Sequence, residues 1–377
     1  MRFFTHNLGI LLLTIVILLI GWVEQAEPAG LGISELTAGI FTFNTVVRIG
    51  ILTIVVIGLN ILMGYAGQVS LGQAAFYGIG AYVSAIFTVQ ASTLGIPEFL
   101  AESWIWPWLL MVLGIAFTGA FTWLIGAPIL RLKGHYLGMA TLGLGIMIFI
   151  LFRENLAVKP STLIITGGLD GLPDVPRLRV GGFTLWPLHR YYYLVWFCAI
   201  GAIVVGRNVV NSRVGRAMRS IHGSEIAAQV MGVDTATIKL QALVMSTMMA
   251  SLAGSLYAHF QAAVSPKPFD FVASLELVVM AATGGVGTIW GAPLGVTIIL
   301  GIGEFLRAYL HIWGAGSEIE PIIFGLILIL IMIFMPEGIA KRIGNLFKRR
   351  KPKAPPPSSG TAQSTSQSAS HQAEATV

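Results

Sequence analysis

The chain has 377 residues, of which 55% are hydrophobic and only 11% charged, with a mean hydropathy of +0.80. An ordinary soluble domain carries about 25% charged residues; the side chains here are too apolar to coat a soluble surface, which excludes a soluble enzyme, a disordered chain and a nucleic-acid-binding domain. The net charge of +6 belongs to a tail, because seven of the 23 basic residues lie between Lys341 and Lys353 and leave 16 basic against 17 acidic residues elsewhere.

A membrane span needs about 20 mostly apolar residues. Ten stretches qualify: 8–23, 41–63, 69–90, 107–130, 135–152, 191–209, 236–263, 273–289, 291–313 and 321–335. The expected fold is therefore all-α and polytopic, with about ten spans. The first run follows Arg2 and His6 in the manner of a signal peptide. No small-residue cleavage site follows it in Val23–Glu27, so a retained span is expected, with residues 1–40 forming that span and an outside linker. Residues 41–340 form the membrane domain.

Within 60–82, Asn60, Gln68, Ser70, Gln73 and five glycines, Gly72 among them, fall at membrane depth. Backbone that leaves the helix there must line a cavity or be buried in protein. Where the helix resumes after Gln68 and Ser70, its N–H groups and positive dipole end can face a carboxylate. Segment 276–293 has the same form: an apolar start after Glu276, an interruption at Gly284, Gly285, Gly287 and Thr288, and a resumed helix. Two such broken segments, one in each half, point to a transport pathway near the bilayer midplane. The competing reading is close helix packing through small residues.

Between these segments, 153–190 is rich in Gly and Pro and reads as a small folded excursion outside the membrane. Cys198 is the single cysteine, so the chain forms no internal disulfide, zinc cluster or iron–sulfur site. In 211–234, Val214, Ala217, Met218 and Ile221 follow the spacing of one helix face, while Arg213, Arg216 and Arg219 occupy the other. Such a helix either lies on the membrane surface or docks on another protein. His135 and His259 are lone residues with structural roles, no metal site is expected, and Glu304 and Arg307 are spaced to pair. A cytoplasmic N-terminus places fifteen basic residues inside, and with them both termini. The tail 341–377 is basic, suited to anionic lipid, then disordered.

The chain has no G-x-x-x-x-G-K-[ST] phosphate loop. Energy for transport must come from a partner subunit or an ion gradient, and the chain is not read as an enzyme.

Gly64-x-x-Gly67-Gln68-x-Ser70-Leu71-Gly72, Gly284-Gly285-x-Gly287-Thr288, Ser212-x-x-Gly215-Arg216-Ala217 and Glu225-x-Ala227-Ala228-x-x-x-Gly232, followed by Lys239, resemble the membrane-spanning permeases of branched-chain amino acid ABC importers, of the LivM type. The resemblance covers roughly 45–340. It implies a multi-pass protein of the bacterial inner membrane. Its partners would be two ATP-binding subunits, which hold the ATP and Mg, a second related permease and an extracytoplasmic substrate-binding protein; no cofactor is implied in this chain. It further implies that 211–234 is the loop that couples to the ATPase, through Gly215, Arg216, Ala217, Arg219, Glu225, Ala228 and Gly232. One departure stands out. His222-Gly223-Ser224 replaces a more charged stretch, and a bend or split is expected there. Alternative cargoes are urea, short amides and small organic acids; an ion-coupled secondary transporter is the alternative of another class.

Overall fold

The structure, a computed structural model, describes residues 2–26, 42–91, 95–130, 132, 135–154, 157–158, 163–164 and 166–312, with five isolated positions between 325 and 339. The expected span 321–335 and the tail 341–377 lie almost entirely outside these residues.

Helix α1 (Arg2–Ala26) is followed by α2 (Phe43–Asn60), which runs into a π-turn at Ile61–Tyr65. Then come α3 (Gln73–Val89), the short α4 (Glu98–Ala101), α5 (Trp106–Ile129) and α6 (His135–Arg153). Helices α7 (Leu188–Asn211), α8 (Arg213–Gly223), α9 (Glu225–Val230), α10 (Thr235–Gln261), α11 (Phe271–Gly284) and α12 (Gly291–Ile312) complete the order. The only strands among the described residues are two hairpins of two-residue strands, β1 (Ala157–Val158) with β2 (Leu163–Ile164) and β3 (Arg179–Val180) with β4 (Phe183–Thr184).

Of the ten expected runs, six appear among the described residues as helices long and apolar enough to cross a membrane and three as shorter apolar helices. The difference falls where glycine interrupts the apolar runs. Instead of full spans at 69–90 and 273–289, α3 has 17 residues and α11 has 14. At 1.5 Å per residue these are roughly 26 and 21 Å long, short of the hydrocarbon thickness of about 30 Å. Both count as shorter apolar helices. In α1 the apolar part is Gly9–Gln25.

Helix α10 is the hub, packed against α2, α3 and α5. Its approach to α3 is close because Gly254 faces the Tyr77 carbonyl and Gly80 faces the Ser251 carbonyl, where a methyl group on either glycine would collide. Polar ties follow the seam. The Ser255 hydroxyl donates to the Gly80 carbonyl (3.0 Å) and the Thr118 hydroxyl to Ser251 Oγ (3.0 Å). His259 bridges the end of α10 to the excursion, with Nδ1 donating to the Pro176 carbonyl (2.7 Å) and Nε2 accepting from the Ser84 hydroxyl (2.9 Å). That is a structural role, as expected. The excursion itself rests on this end of α10: Leu172, Val175 and Leu178 are buried, and Leu172 bridges Val264. Glu304 and Arg307 pair at 3.8 Å.

Side-chain caps fix where helices begin. Thr42, Asp234 and Asp270 accept backbone N–H groups at the starts of α2, α10 and α11. The Thr237 hydroxyl also donates to Asp234, and these bonds hold its carboxyl below the usual range.

Candidate functional site

The two interrupted segments meet. Helix α2 unwinds through the π-turn, where the Gln68 N–H reaches back to the Leu62 carbonyl and Gly67 takes a positive φ of 69°. After α11 the chain turns through Gly285 and Gly287, with φ of 112° and 83°. Gly64 then lies directly on the Gly287 backbone, leaving no room for a side chain. The Asn60 side-chain amide donates to the Thr288 carbonyl (3.2 Å), and the Thr288 hydroxyl donates to the Gly285 carbonyl (2.8 Å). Asn60, Gly284, Gly285, Gly287 and Thr288 thus form one junction.

The remaining pathway candidates scatter around it. Gly72 packs on the Thr141 carbonyl of α6, so this glycine serves close approach. The Gln73 amide donates to Ser246 on α10 (3.1 Å). The start of α3 is engaged by other helices: the Leu71 N–H donates to Thr141 Oγ1 and the Ala74 N–H to Ser274 Oγ, both at 3.1 Å. This departs from the expected N-terminus presenting its donors to a carboxylate. Gln68 and Ser70 are buried, yet both amide atoms of Gln68, the Ser70 hydroxyl, Asn60 Oδ1 and Gln73 Oε1 have no hydrogen-bond partner among the described residues. Buried polar groups without a partner are costly, which sets this segment apart from the bonded polar groups along α10. Glu276 lies away from the junction, in a cleft beside Arg48 of α2.

The loop 211–234 splits as its sequence departure foretells. Helix α8 ends at Gly223; Ser224 is extended, with φ −162° and ψ 115°, and its hydroxyl oxygen accepts the Ala227 N–H to start α9. Gly215, Met218 and Ile221 are buried on the chain itself and Ala217 is half-buried. Arg216 and Arg219 donate to the Asn211 and Val210 carbonyls at the end of α7 (3.5 and 3.2 Å), where cations complement the helix dipole. Glu225 is locked to Lys239 of α10 at 2.6 Å. Ala228 is buried within the chain, and Gly232 has a φ of 82° with open space around it, so its smallness answers a backbone requirement. What α9 does expose is Ile226, Val230 and, just beyond it, Met231, at 76, 82 and 83%. Sequence reasoning missed these three; their i, i+4, i+5 spacing after the Ser224 cap was the available signal. It also missed Arg48, the lone arginine inside the span 41–63.

This loop touches the junction. His222 packs against Gly67, and a cavity of about 480 Å³ between them is lined by Gly67, Gln68, Leu71, Ile221, His222 and Glu225.

A helical membrane bundle with two interrupted segments meeting at one junction, contacted by a capped loop at one end, has the build of a transport permease. Residues 41–335 match the family described as the permease component of the branched-chain amino acid transport system, and the chain belongs to that family. It is similar to the high-affinity branched-chain amino acid transport system permease protein LivM of Salmonella typhimurium, with 29% identity over 307 residues, covering 75% of this chain and 66% of that protein. LivM of Escherichia coli is 27% identical over 352 residues, covering 87% of this chain and 74% of that protein. LivH of Escherichia coli is 26% identical over 307 residues, covering 80% and 94%. No solved structure matches the chain.

Proposed function

We propose that this chain is one of two permease subunits of an ATP-driven importer that carries branched-chain or other small neutral amino acids inward across a bacterial inner membrane. Two separate subunits bind ATP and Mg, a second related permease completes the pathway, and an extracytoplasmic protein delivers the substrate. The α8–α9 end and both termini face the cytoplasm.

The observation that carries this reading is the exposed knob of Ile226, Val230 and Met231 on a rigidly held loop. Clustered exposed apolar side chains on a polar element mark a contact site. A helix lying on lipid presents a continuous apolar stripe, but α8 turns Met218 and Ile221 inward, so only a short knob remains. That shape suits a socket in a partner protein. Serine caps, the Glu225–Lys239 pair and the arginines on α7 make the loop stiff enough to transmit a push. The push arrives at Gly67 through His222, and the segment there carries the unpartnered polar atoms and continues to the Gly64–Gly287 contact. Closure of the ATP-binding subunits would thereby open or shut the junction.

Urea, short amides or small organic acids remain alternative cargoes for the same machinery, since the binding protein selects the solute. The test is co-purification of ATP-binding subunits with the tagged chain, followed by uptake in vesicles. ATP-dependent uptake of leucine supports the proposal; uphill uptake by this chain alone on a sodium or proton gradient refutes it.

A further inference from the structure

A second cleft lies apart from the α8–α9 loop, between α2, α3, α10 and α11. It holds about 280 Å³ and is lined by Arg48, Lys267, Asp270, Glu276, Tyr77 and Tyr257. Arg48 and Glu276 are half-buried and Tyr77 is buried. One Asp270 oxygen is spent capping α11. Arg48, Lys267 and Glu276 enter no ion pair or hydrogen bond among the described residues, although they border the same space.

Charged side chains at membrane depth face a water-filled cavity or a protein partner, not lipid. Near one another but not in direct contact, these charges are complementary to a ligand bearing both signs. An anion would meet two carboxylates, and a cation would meet arginine and lysine. A solute with a carboxylate and an ammonium close together satisfies both sets. At about 30 Å³ per water in the liquid, the cleft has room for roughly nine water-sized groups, the size of a small amino acid. The tyrosine rings and Leu277 supply an apolar wall for its side chain.

We infer that this cleft is a transit site for zwitterionic amino acids, with Arg48 receiving the α-carboxylate and Glu276 the α-ammonium. Bound there, the solute exchanges its water for charge-assisted hydrogen bonds, which keeps the passage selective for amphoteric molecules after the binding protein has released them. This rests on the importer reading above and adds a site within it.

The experiment uses the complete importer in vesicles, with Arg48→Gln, Arg48→Lys and Glu276→Gln made singly. Each is measured for assembly, for ATP hydrolysis stimulated by the leucine-loaded binding protein, and for leucine uptake. Losing one charge-assisted bond should lower leucine moved per ATP hydrolysed by about tenfold or more. Assembly and stimulated hydrolysis should persist, and Arg48→Lys should retain part of the wild-type ratio. An unchanged ratio in Arg48→Gln and Glu276→Gln overturns the transit site. So does loss of assembly in all three variants, which would make the charges interface contacts. A wild-type importer that moves no amino acid would instead refute the proposed function.

Discussion

Replacing Val230 by aspartate separates docking from folding. Val230 is 82% exposed, so its own chain derives little from it, and surface changes of this kind usually alter stability by no more than about 0.5 kcal/mol. If a partner's socket buries it, the apolar contact is worth about 1.5–3 kcal/mol. Each 1.4 kcal/mol is tenfold in affinity, so binding of the ATP-binding subunit should weaken about 10- to 100-fold, and more if the new carboxylate is left unpaired. The assay is titration of purified ATP-binding subunit onto the immobilised chain, beside thermal unfolding in detergent. Ala228→Trp is the contrasting change. Ala228 is 3% exposed, and overfilling such a site costs about 1–3 kcal/mol, so that variant should lose thermal stability itself. Undiminished ATPase binding by Val230→Asp, in a chain of wild-type stability, would refute the docking knob.

Gly64→Val should be strongly destabilising, because a side chain there enters the Gly287 backbone; a wild-type melting temperature would contradict the junction. Gly72→Leu should likewise reduce thermal stability through the Thr141 carbonyl rather than slow transport in an intact protein; normal stability with impaired uptake would favour a pathway role instead. Lys239→Ala removes the half-buried partner of Glu225, so uptake per ATP should fall while membrane insertion persists, read by the same vesicle assay; an unchanged ratio would show that the ion pair does not stiffen the loop. Single cysteines at Ser212 and Ser103, in a Cys198→Ala background, should label only from the cytoplasmic side and only from outside, respectively; the reverse pattern would invert the orientation.

The broken segments were legible in the sequence because glycines and amides at membrane depth violate the pattern of an ordinary span. Their lengths were not. Hydropathy counts apolar residues without asking where the backbone leaves the helix, so α3 and α11 read as full spans. The split at Ser224 was foreseen because the glycine of His222-Gly223-Ser224 is a weak helix former; the serine cap that starts α9 was not read. The roles of Ala228 and Gly232 were not legible: small size signals a close neighbour or a positive φ, and sequence alone does not say whether the neighbour is the same chain. Ile226, Val230 and Met231 passed as ordinary apolar residues because exposure depends on how α9 is seated. Arg48 passed unread for a related reason, since a lone charge has meaning only once Glu276 is seen across the cleft.

The central claim is that movement of solute depends on ATP hydrolysed by subunits docked on α8–α9. The most direct measurement is leucine accumulation in vesicles containing this chain, its permease partner and the ATP-binding subunits, with loaded binding protein outside and ATP inside. Accumulation should require ATP, be unaffected by collapsing ion gradients, and fall in Val230→Asp in proportion to the lost ATPase docking. Accumulation that persists without ATP, or that follows an imposed sodium or proton gradient, would contradict the account.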